Sequence, residues 1–265
     1  MSRPSLTAAV IARDAADHLE ACLRSLAFAD EVLVLVDAAT RDATRELARS
    51  LGARVEERAF DTFAAQRQAA LDLACGDWVL FVDADERVAP ALRDEVLATI
   101  AEPGDLRGGW IPRHNRILGR VVRHAGWYPD YQLRLLKRGA AHLDPLRPVH
   151  EVALLDGPAG RLRQPLVHES YRTLGEFIRK QDRYCQLEAE RWLMTFGRPR
   201  WRAVIGQPLR EFWRRYVQLR GYREGGLGLV LCLILGFYSG KSVWLARRRR
   251  RALMPERPPA AARPS

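Results

Sequence analysis

The chain has 265 residues, of which 48% are hydrophobic, and carries a formal net charge of +11. This length and apolar content suit one large domain, or a domain with an appendage, built on a substantial core. The four cysteines are widely separated, with no CxxC pair and no Cys/His ladder, which argues against a zinc site and suits a reducing compartment.

Charge is divided unevenly along the chain. Residues 1–105 carry 11 basic and 20 acidic side chains, whereas residues 106–265 carry 32 basic and 12 acidic ones. An acidic first part and a basic second part suggest two tasks on one chain. The basic part is expected to face an anionic partner such as nucleic acid, a phosphorylated glycolipid or a membrane surface.

The first hundred residues alternate between strand and helix patterns. Strands are predicted at Leu6–Ala12, Val32–Val36, 52–55 and Trp78–Val82, with helices at Ala16–Ala27, after Asp37 through Leu51, and at Phe63–Ala74. This order predicts an α/β fold with a doubly wound, mostly parallel sheet. Residues 110–170 are predicted to form strands and loops that cover the open edge of that sheet.

The remainder of the chain is predicted to be helical and basic. An amphipathic helix is expected at Thr173–Phe196 and a basic helix at 201–220, followed by the apolar stretch Leu227–Tyr238 and five arginines, Arg247–Arg251. The predicted organisation is an α/β domain at residues 1–170, a membrane-interfacial helical region at 171–254 and a disordered tail at 255–265.

The apolar stretch is shorter than the roughly 20 residues that a spanning helix needs. An interfacial or re-entrant hairpin on an anionic leaflet is therefore favoured over a true span, and a helix packed on its own domain or on a partner subunit stays an alternative. The apolar run Ala8–Ala12 is too short for a signal peptide, so a cytoplasmic location is expected.

Three acidic residues follow the predicted strand Trp78–Val82, in the order Asp83-Ala84-Asp85-Glu86. Ligands of open α/β sheets bind beyond the carboxyl ends of the strands, and side chains two apart in an extended segment point the same way. Asp83 and Asp85 are therefore expected to converge on one ion, with Mg²⁺ or Mn²⁺ favoured by oxygen ligands. The alternative is a solvated turn that precedes the next helix.

Asp37 ends a second predicted strand and is expected to line the same crevice. Together with a metal at Asp85, it would suit a nucleotide diphosphate ligand. The chain has neither a P-loop nor a GxGxxG after its first strand, which weighs against NTPase and dinucleotide-binding functions.

Several segments resemble the family 2 glycosyltransferases of the GT-A fold, and within them the lipopolysaccharide core glycosyltransferase branch. The likeness extends over about residues 5–195 and is carried by 12–14, 37–44, 66–70, 76–87, 129–137 and 149–151. Ala38-Ala39-Thr40-Arg41 replaces the Ser-Gly-Ser-Thr-like residues of the family. The strand with its acidic tetrad is specific only in combination with the Asp37 segment.

The resemblance implies roles for individual residues. Asp37 would bind the base or ribose of the donor, Asp83 its ribose or sugar, and Asp85 the Mg²⁺ or Mn²⁺. Glu151, in His150-Glu151, is the candidate catalytic base for an inverting displacement, with a surface glutamate as the alternative. Further candidates are His168 for the metal shell and Arg67 and Arg134 for donor binding, with ordinary structural roles as rivals.

The resemblance implies a metal-dependent hexosyl- or heptosyltransferase. It would move a sugar from a nucleotide-diphosphate sugar to a lipid-linked saccharide, with lipopolysaccharide inner core as the expected acceptor. The enzyme is expected at the cytoplasmic membrane face, as a peripheral protein on anionic lipid that does not bind nucleic acid. The alternatives are a basic nucleic-acid-binding protein without catalysis and a nucleotidyltransferase on a similar sheet.

Overall fold

The computed structural model describes residues 3–143, 153–197 and 199–249. Its strands are β1 (Leu6–Ala12), β2 (Glu31–Asp37), β3 (Arg54–Arg58), β4 (Trp78–Asp83), β5 (Glu86–Val88), β6 (Gly108–Ile117), β7 (Arg120–Val121), β8 (Asp130–Lys137), β9 (Ala141–His142), β10 (Leu154–Leu155), β11 (Ala159–Arg161) and β12 (Leu166–Tyr171). Its α-helices are α1 (Ala16–Ser25), α2 (Thr44–Ser50), α3 (Phe63–Leu73), α4 (Pro90–Ala101), α5 (Leu174–Phe196), α6 (Trp201–Trp213) and α7 (Gly225–Arg248).

The chain divides into two compact units. The sheet unit comprises residues up to Arg123 and Trp127–Arg172, and the helical unit comprises His124–Gly126 and the residues from Thr173 onward. The expected tail at 255–265 lies outside the described residues.

The first half of the main sheet is parallel, in the order β3-β2-β1-β4. The strands β1, β2 and β4 are apolar on both faces because both faces are covered by helices, whereas the edge strand β3 is mostly charged. In β4, Trp78, Leu80 and Val82 pack with α1, α2 and α4, whereas Val79 and Phe81 pack with α3 on the opposite face. The predicted doubly wound α/β fold is confirmed.

The second half of the sheet is mixed. Beyond β4 the order continues β8-β6-β12-β5, and only the β6–β12 pair on this path is parallel. As predicted, residues 110–170 supply strands at the open edge of the parallel sheet: β8 hydrogen-bonds to β4 and extends the sheet. An unpaired edge next to β4 would leave backbone donors and acceptors without partners.

The connection between β4 and β5 shapes the site. Only Ala84 and Asp85 separate these strands, yet β5 pairs with β12 at the other end of the path. The strands β8, β6 and β12 must therefore curl around this turn. The register brings Glu86 opposite His168, and His168 opposite Asn115.

The central element of the helical unit is α7, which packs against both α5 and α6. The capping box of Thr173 and Glu176 starts α5, where each side chain bonds to the backbone N–H of the other residue. A π-helical turn at Arg214–Gln218 and a 3₁₀ turn at Gly221–Glu224 connect α6 to α7. Among the described residues, the segment Gly221–Arg248 is the one helical stretch long and apolar enough to cross a membrane, with a mean hydropathy of 1.7.

Candidate active site

Two carboxylates and an arginine lie at the carboxyl edge of the parallel strands. Asp37 ends β2, Asp83 ends β4, and Arg13 follows β1, which runs between them. Two strand spacings put the ends of β2 and β4 roughly 10 Å apart. The buried carboxylate of Asp37 accepts a hydrogen bond from Ala39 N at 3.0 Å, and its other oxygen lies 3.1 Å from Arg13 Nη1. The structure therefore brings Asp37 and Asp83 to the same edge of the sheet, as predicted.

Asp83 is held by two arginines. Its Oδ1 accepts from Arg134 Nη1 at 3.1 Å and from Arg67 Nη2 at 3.2 Å, and its Oδ2 accepts from Arg134 Nη2. Burial opposes ionisation of this carboxyl, but the positive charges of Arg134 and Arg67 outweigh it and hold the pKa of Asp83 well below its usual range. Asp83 is therefore an ionised carboxylate with a fixed orientation at the edge of the sheet.

Arg134 occupies a different place from the one expected of a donor-binding residue. Its side chain is only 2% exposed and also donates to Glu86 Oε1 at 2.9 Å. A guanidinium enclosed in this way presents almost no surface to a donor phosphate. Its contacts instead hold the carboxylate of Asp83 in one orientation.

Glu86 anchors the base of this network and had no role assigned from the sequence. Its carboxylate is fully buried, accepts from the backbone N–H of Asp83 at 3.0 Å and lies 3.4 Å from Arg113 Nη1. Burial raises the pKa of Glu86, and the charge of Arg134 acts against that rise. The only sign of this role in the sequence is that an acidic residue begins a short strand, in which side chains alternate between the two faces of the sheet.

Asp85 has a different partner from Asp83. It lies in the turn after β4, so the alternation of an extended strand does not govern its direction, and its Oδ2 lies 3.3 Å from Nε2 of His168. Asp83 is thus held by arginines, whereas Asp85 faces an imidazole. This differs from the simple convergence expected from an extended segment.

Asn115 fixes the imidazole of His168. The amide group of Asn115 donates to Trp127 O at 3.0 Å, which directs its Oδ1 to Nδ1 of His168 at 2.7 Å. An amide oxygen can only accept, so Nδ1 carries a proton and a neutral imidazole has its lone pair on Nε2. That lone pair faces the carboxylate of Asp85. Because both atoms are then hydrogen-bond acceptors, they repel each other unless a proton or a cation lies close by.

The donor set of Asp85 and His168 fits a divalent cation. Carboxylate oxygen and imidazole nitrogen are ligands that Mn²⁺ accepts, and an outer hydrogen bond such as the one His168 donates to Asn115 commonly orients a ligating histidine. Among the residues the structure describes, no cluster of three or more His, Cys, Asp or Glu side chains suits a metal ion. A cation here would therefore need further ligands from bound substrate and water.

Of the predicted site residues, one cannot be placed. Glu151 lies outside the described residues, as does His150. Arg67, Asp83, Asp85 and His168 come together around the β4–β5 turn. Asn115 was missed by sequence reasoning, because nothing in the run of β6 distinguishes it until β12 is paired alongside.

Comparison with known proteins identifies the family to which this sheet order and acidic edge belong. The profile of glycosyl transferase family 2 matches residues 7–148, and the chain belongs to this family. The protein is therefore a glycosyltransferase, and the resemblance seen in the sequence is confirmed.

The chain is similar to several individual proteins. It is 28% identical over 240 residues to the lipopolysaccharide core biosynthesis glycosyltransferase LpsC of Rhizobium meliloti (strain 1021), with 88% of each chain covered. It is 35% identical over 92 residues to an uncharacterized glycosyltransferase of Rickettsia bellii (strain RML369-C), which covers 34% of this chain and 31% of that protein.

Among solved structures, the mannosyltransferase PcManGT from Pyrobaculum calidifontis, in complex with GDP-Man and Mn²⁺, has a similar fold. The TM-score is 0.53 at 14% sequence identity, with 93% of this chain and 86% of that chain covered. This likeness agrees with the predicted GT-A fold.

Proposed function

We propose that this glycosyltransferase moves a hexose or heptose from a nucleotide-diphosphate sugar to a lipid-linked saccharide, in the inner core of lipopolysaccharide, at the cytoplasmic face of the membrane. The similarity to LpsC over 88% of both chains supports the acceptor class. The observation that carries the chemistry is the pair of Asp85 and His168, whose oxygen and nitrogen atoms suit a divalent cation, beside the fixed carboxylate of Asp83.

The donor would lie across the carboxyl edge of β2, β1 and β4. Asp37 would accept hydrogen bonds from the base or ribose, and Asp83 would accept from ribose or sugar hydroxyls. Because Arg67 and Arg134 hold Asp83 ionised and oriented, its free lone pairs are directed without reorganisation when the donor binds. Arg67 also adds positive charge beside the place proposed for the diphosphate.

Asp85 and His168 would hold a divalent cation, Mg²⁺ or Mn²⁺. When bound, such an ion acts as a Lewis acid that stabilises the negative charge of the departing nucleotide diphosphate. Asn115 keeps the lone pair of His168 directed to this position. The Mn²⁺ in the complex of PcManGT with GDP-Man is consistent with this choice.

Glu151 is the proposed base of an inverting displacement. It would remove the proton from the acceptor hydroxyl as that oxygen attacks the anomeric carbon from the side opposite the leaving diphosphate. The assignment depends on the match of His150-Glu151 to the family. Glu151→Gln is expected to lower turnover by about a hundredfold or more while leaving the donor dissociation constant unchanged. Equal losses in donor binding and turnover would contradict the role of base.

The metal site is tested by replacing Asp85. Asp85→Asn should weaken Mn²⁺ binding, followed by electron paramagnetic resonance with nucleotide diphosphate present, by about tenfold or more. It should also abolish metal-dependent hydrolysis of nucleotide-sugar donors. Asp94→Asn, an exposed carboxylate on α4, is the matched control and should leave both unchanged. Undiminished Mn²⁺ affinity in Asp85→Asn would overturn the site.

The acceptor class needs a separate experiment. A panel of nucleotide-sugar donors is incubated with extracted core glycolipid, and transfer is followed by mass spectrometry. Transfer of one hexose or heptose to the glycolipid is the expected result. Donor hydrolysis without transfer to any core glycolipid would refute the acceptor while leaving the donor site intact.

A further inference from the structure

A row of exposed apolar side chains runs along α6. Trp201, Ile205, Leu209 and Trp213 recur every fourth residue and are each between 58% and 68% exposed. Val217 continues the row into the π-helical turn. Apolar side chains this exposed and this regularly spaced form a stripe on one side of a helix.

A second exposed apolar face belongs to α7. It consists of Leu229, Val230, Leu233 and Phe237, of which Leu233 is 53% and Phe237 63% exposed. The opposite side of α7 is buried within the helical unit. Both helices thus leave large apolar side chains without cover in the part of the chain that the structure describes.

The two faces open to the same side. A Cβ added at Gly236 would lie 3.0 Å from Pro208 O and 3.5 Å from Phe212 Cβ, and one added at Gly240 would lie 3.4 Å from Val204 O, so the helices run antiparallel in close contact. In both helices, the exposed residues lie about one sequence position after the residues that contact the other helix. The exposed row is therefore rotated about the helix axis in the same sense in each. In an antiparallel pair of right-handed helices, this places both rows on one side of the pair.

A basic row borders this α6–α7 apolar surface. Arg202, Arg210 and Arg214 are exposed, and each follows a residue of the apolar stripe by one position. At the end of the pair where α6 begins, the guanidinium of Arg248 lies 4.4 Å from the ring centre of Trp244. Arginines and tryptophans that border an apolar surface complement an anionic leaflet, where the rings lie at headgroup level.

The same features argue against a spanning orientation for α7. The arginines extend along α6, so an axis normal to the bilayer would carry Arg210 into the hydrocarbon, where a charge is costly. The helix α5 also packs along α7, and its Asp182 pairs with Lys241. An axis in the plane of the interface leaves these charges in water and buries only the apolar side.

We propose that the α6–α7 apolar surface inserts in the plane of an anionic phospholipid leaflet, without crossing it. This inference rests on the proposed function for its purpose, since it would bring the sheet unit to a lipid-linked acceptor. The occupant is the bilayer surface itself.

The test is flotation of the full-length protein with vesicles of phosphatidylethanolamine and phosphatidylglycerol. Leu209→Glu combined with Leu233→Glu should weaken vesicle binding by about tenfold or more. Leu187→Glu is the matched control, because Leu187 is exposed on the side of α5 away from α7 and should bind as the wild type does. Equal binding by the double variant and the wild type would overturn the proposal.

Two further measurements separate the alternatives. Bromine placed near the headgroups of the lipids should quench Trp201 and Trp213 more than bromine near the bilayer centre. Stronger quenching at the centre, or retention in membranes after carbonate washing, would show a span and overturn in-plane insertion. A dimer that dissociates in the double variant, without vesicle binding by the wild type, would assign the surface to a second copy and likewise overturn it.

Donor hydrolysis without vesicles keeps this test independent of the proposed function. The double variant should hydrolyse nucleotide sugars at the wild-type rate, because its substitutions lie in the helical unit. Vesicle binding by a wild-type protein that hydrolyses no donor would refute the proposed function and leave the membrane surface standing.

Discussion

Replacing Arg134 with methionine removes the positive charge that binds the carboxylates of Asp83 and Glu86. Glu86 is fully buried and would lose its contact of 2.9 Å, which places the change among broken buried ion pairs, at about 3–5 kcal/mol. Asp83 can still reach solvent, and Glu86 keeps Arg113 at 3.4 Å and the N–H of Asp83. The loss of unfolding free energy should therefore fall at the lower end, at about 3 kcal/mol.

The loss should depend on pH in a defined direction. In the wild type the lowered pKa of Asp83 contributes stability above the unfolded value of about 3.9 and loses it as pH falls toward the folded value. In Arg134→Met the folded pKa values of Asp83 and Glu86 should rise, because the neighbouring positive charge is gone. These carboxyls then bind protons as pH falls to about 5, and the gap between variant and wild type should narrow.

Hydrogen exchange of the β4 amides measures this stability, because these amides belong to the sheet unit alone. Arg93→Met, at a half-exposed arginine, should change stability by no more than about 0.5 kcal/mol. Adding Glu86→Gln to Arg134→Met should recover part of the loss, since it removes the unpaired buried charge. A loss below about 1 kcal/mol at pH 7.5, or one that grows toward pH 5, would refute the reasoning.

Three further changes test other parts of the structure. Asn115→Leu should weaken Mn²⁺ binding by about tenfold, because His168 loses its hydrogen bond of 2.7 Å to Asn115 and keeps only the longer contact of 3.0 Å with Ser170 Oγ; unchanged affinity by paramagnetic resonance would contradict this. Thr173→Ala should destabilise the start of α5 by about 1 kcal/mol, seen as faster exchange of its first-turn amides. Gly240→Val should lower the melting temperature, because the new side chain meets Pro208, whereas Gly→Val at an open position would only reduce backbone freedom.

The parallel half of the sheet followed from local sequence. The runs of β1, β2 and β4 are aliphatic on both faces, and amphipathic helices separate them, which permits few arrangements other than a doubly wound sheet. The carboxyl edge was predictable for the same reason, because Asp37 and Asp83 stand directly after these runs. The residue types and positions of Asp37 and Asp83 are therefore enough to predict an acidic edge of the sheet.

The mixed half of the sheet depended on long-range pairing. The strand β12 lies about eighty residues from β5 along the chain, and no local pattern specifies that they pair. That pairing places His168 beside Asp85, and the pairing of β12 with β6 places Asn115 behind His168. The burial of Arg134 was equally hidden, since an arginine in a strand reads as a surface residue until its buried acidic partners are known.

The sequence by itself determined the family, the acidic edge of the sheet and the basic, apolar character of the last third of the chain, because these depend on residue type and short spacing. The tertiary structure decided which carboxylate faces an imidazole and which is held by arginines. It also decided that α6 and α7 expose apolar rows on one side. These are consequences of strand register and helix packing, which are set by contacts between residues far apart in the chain.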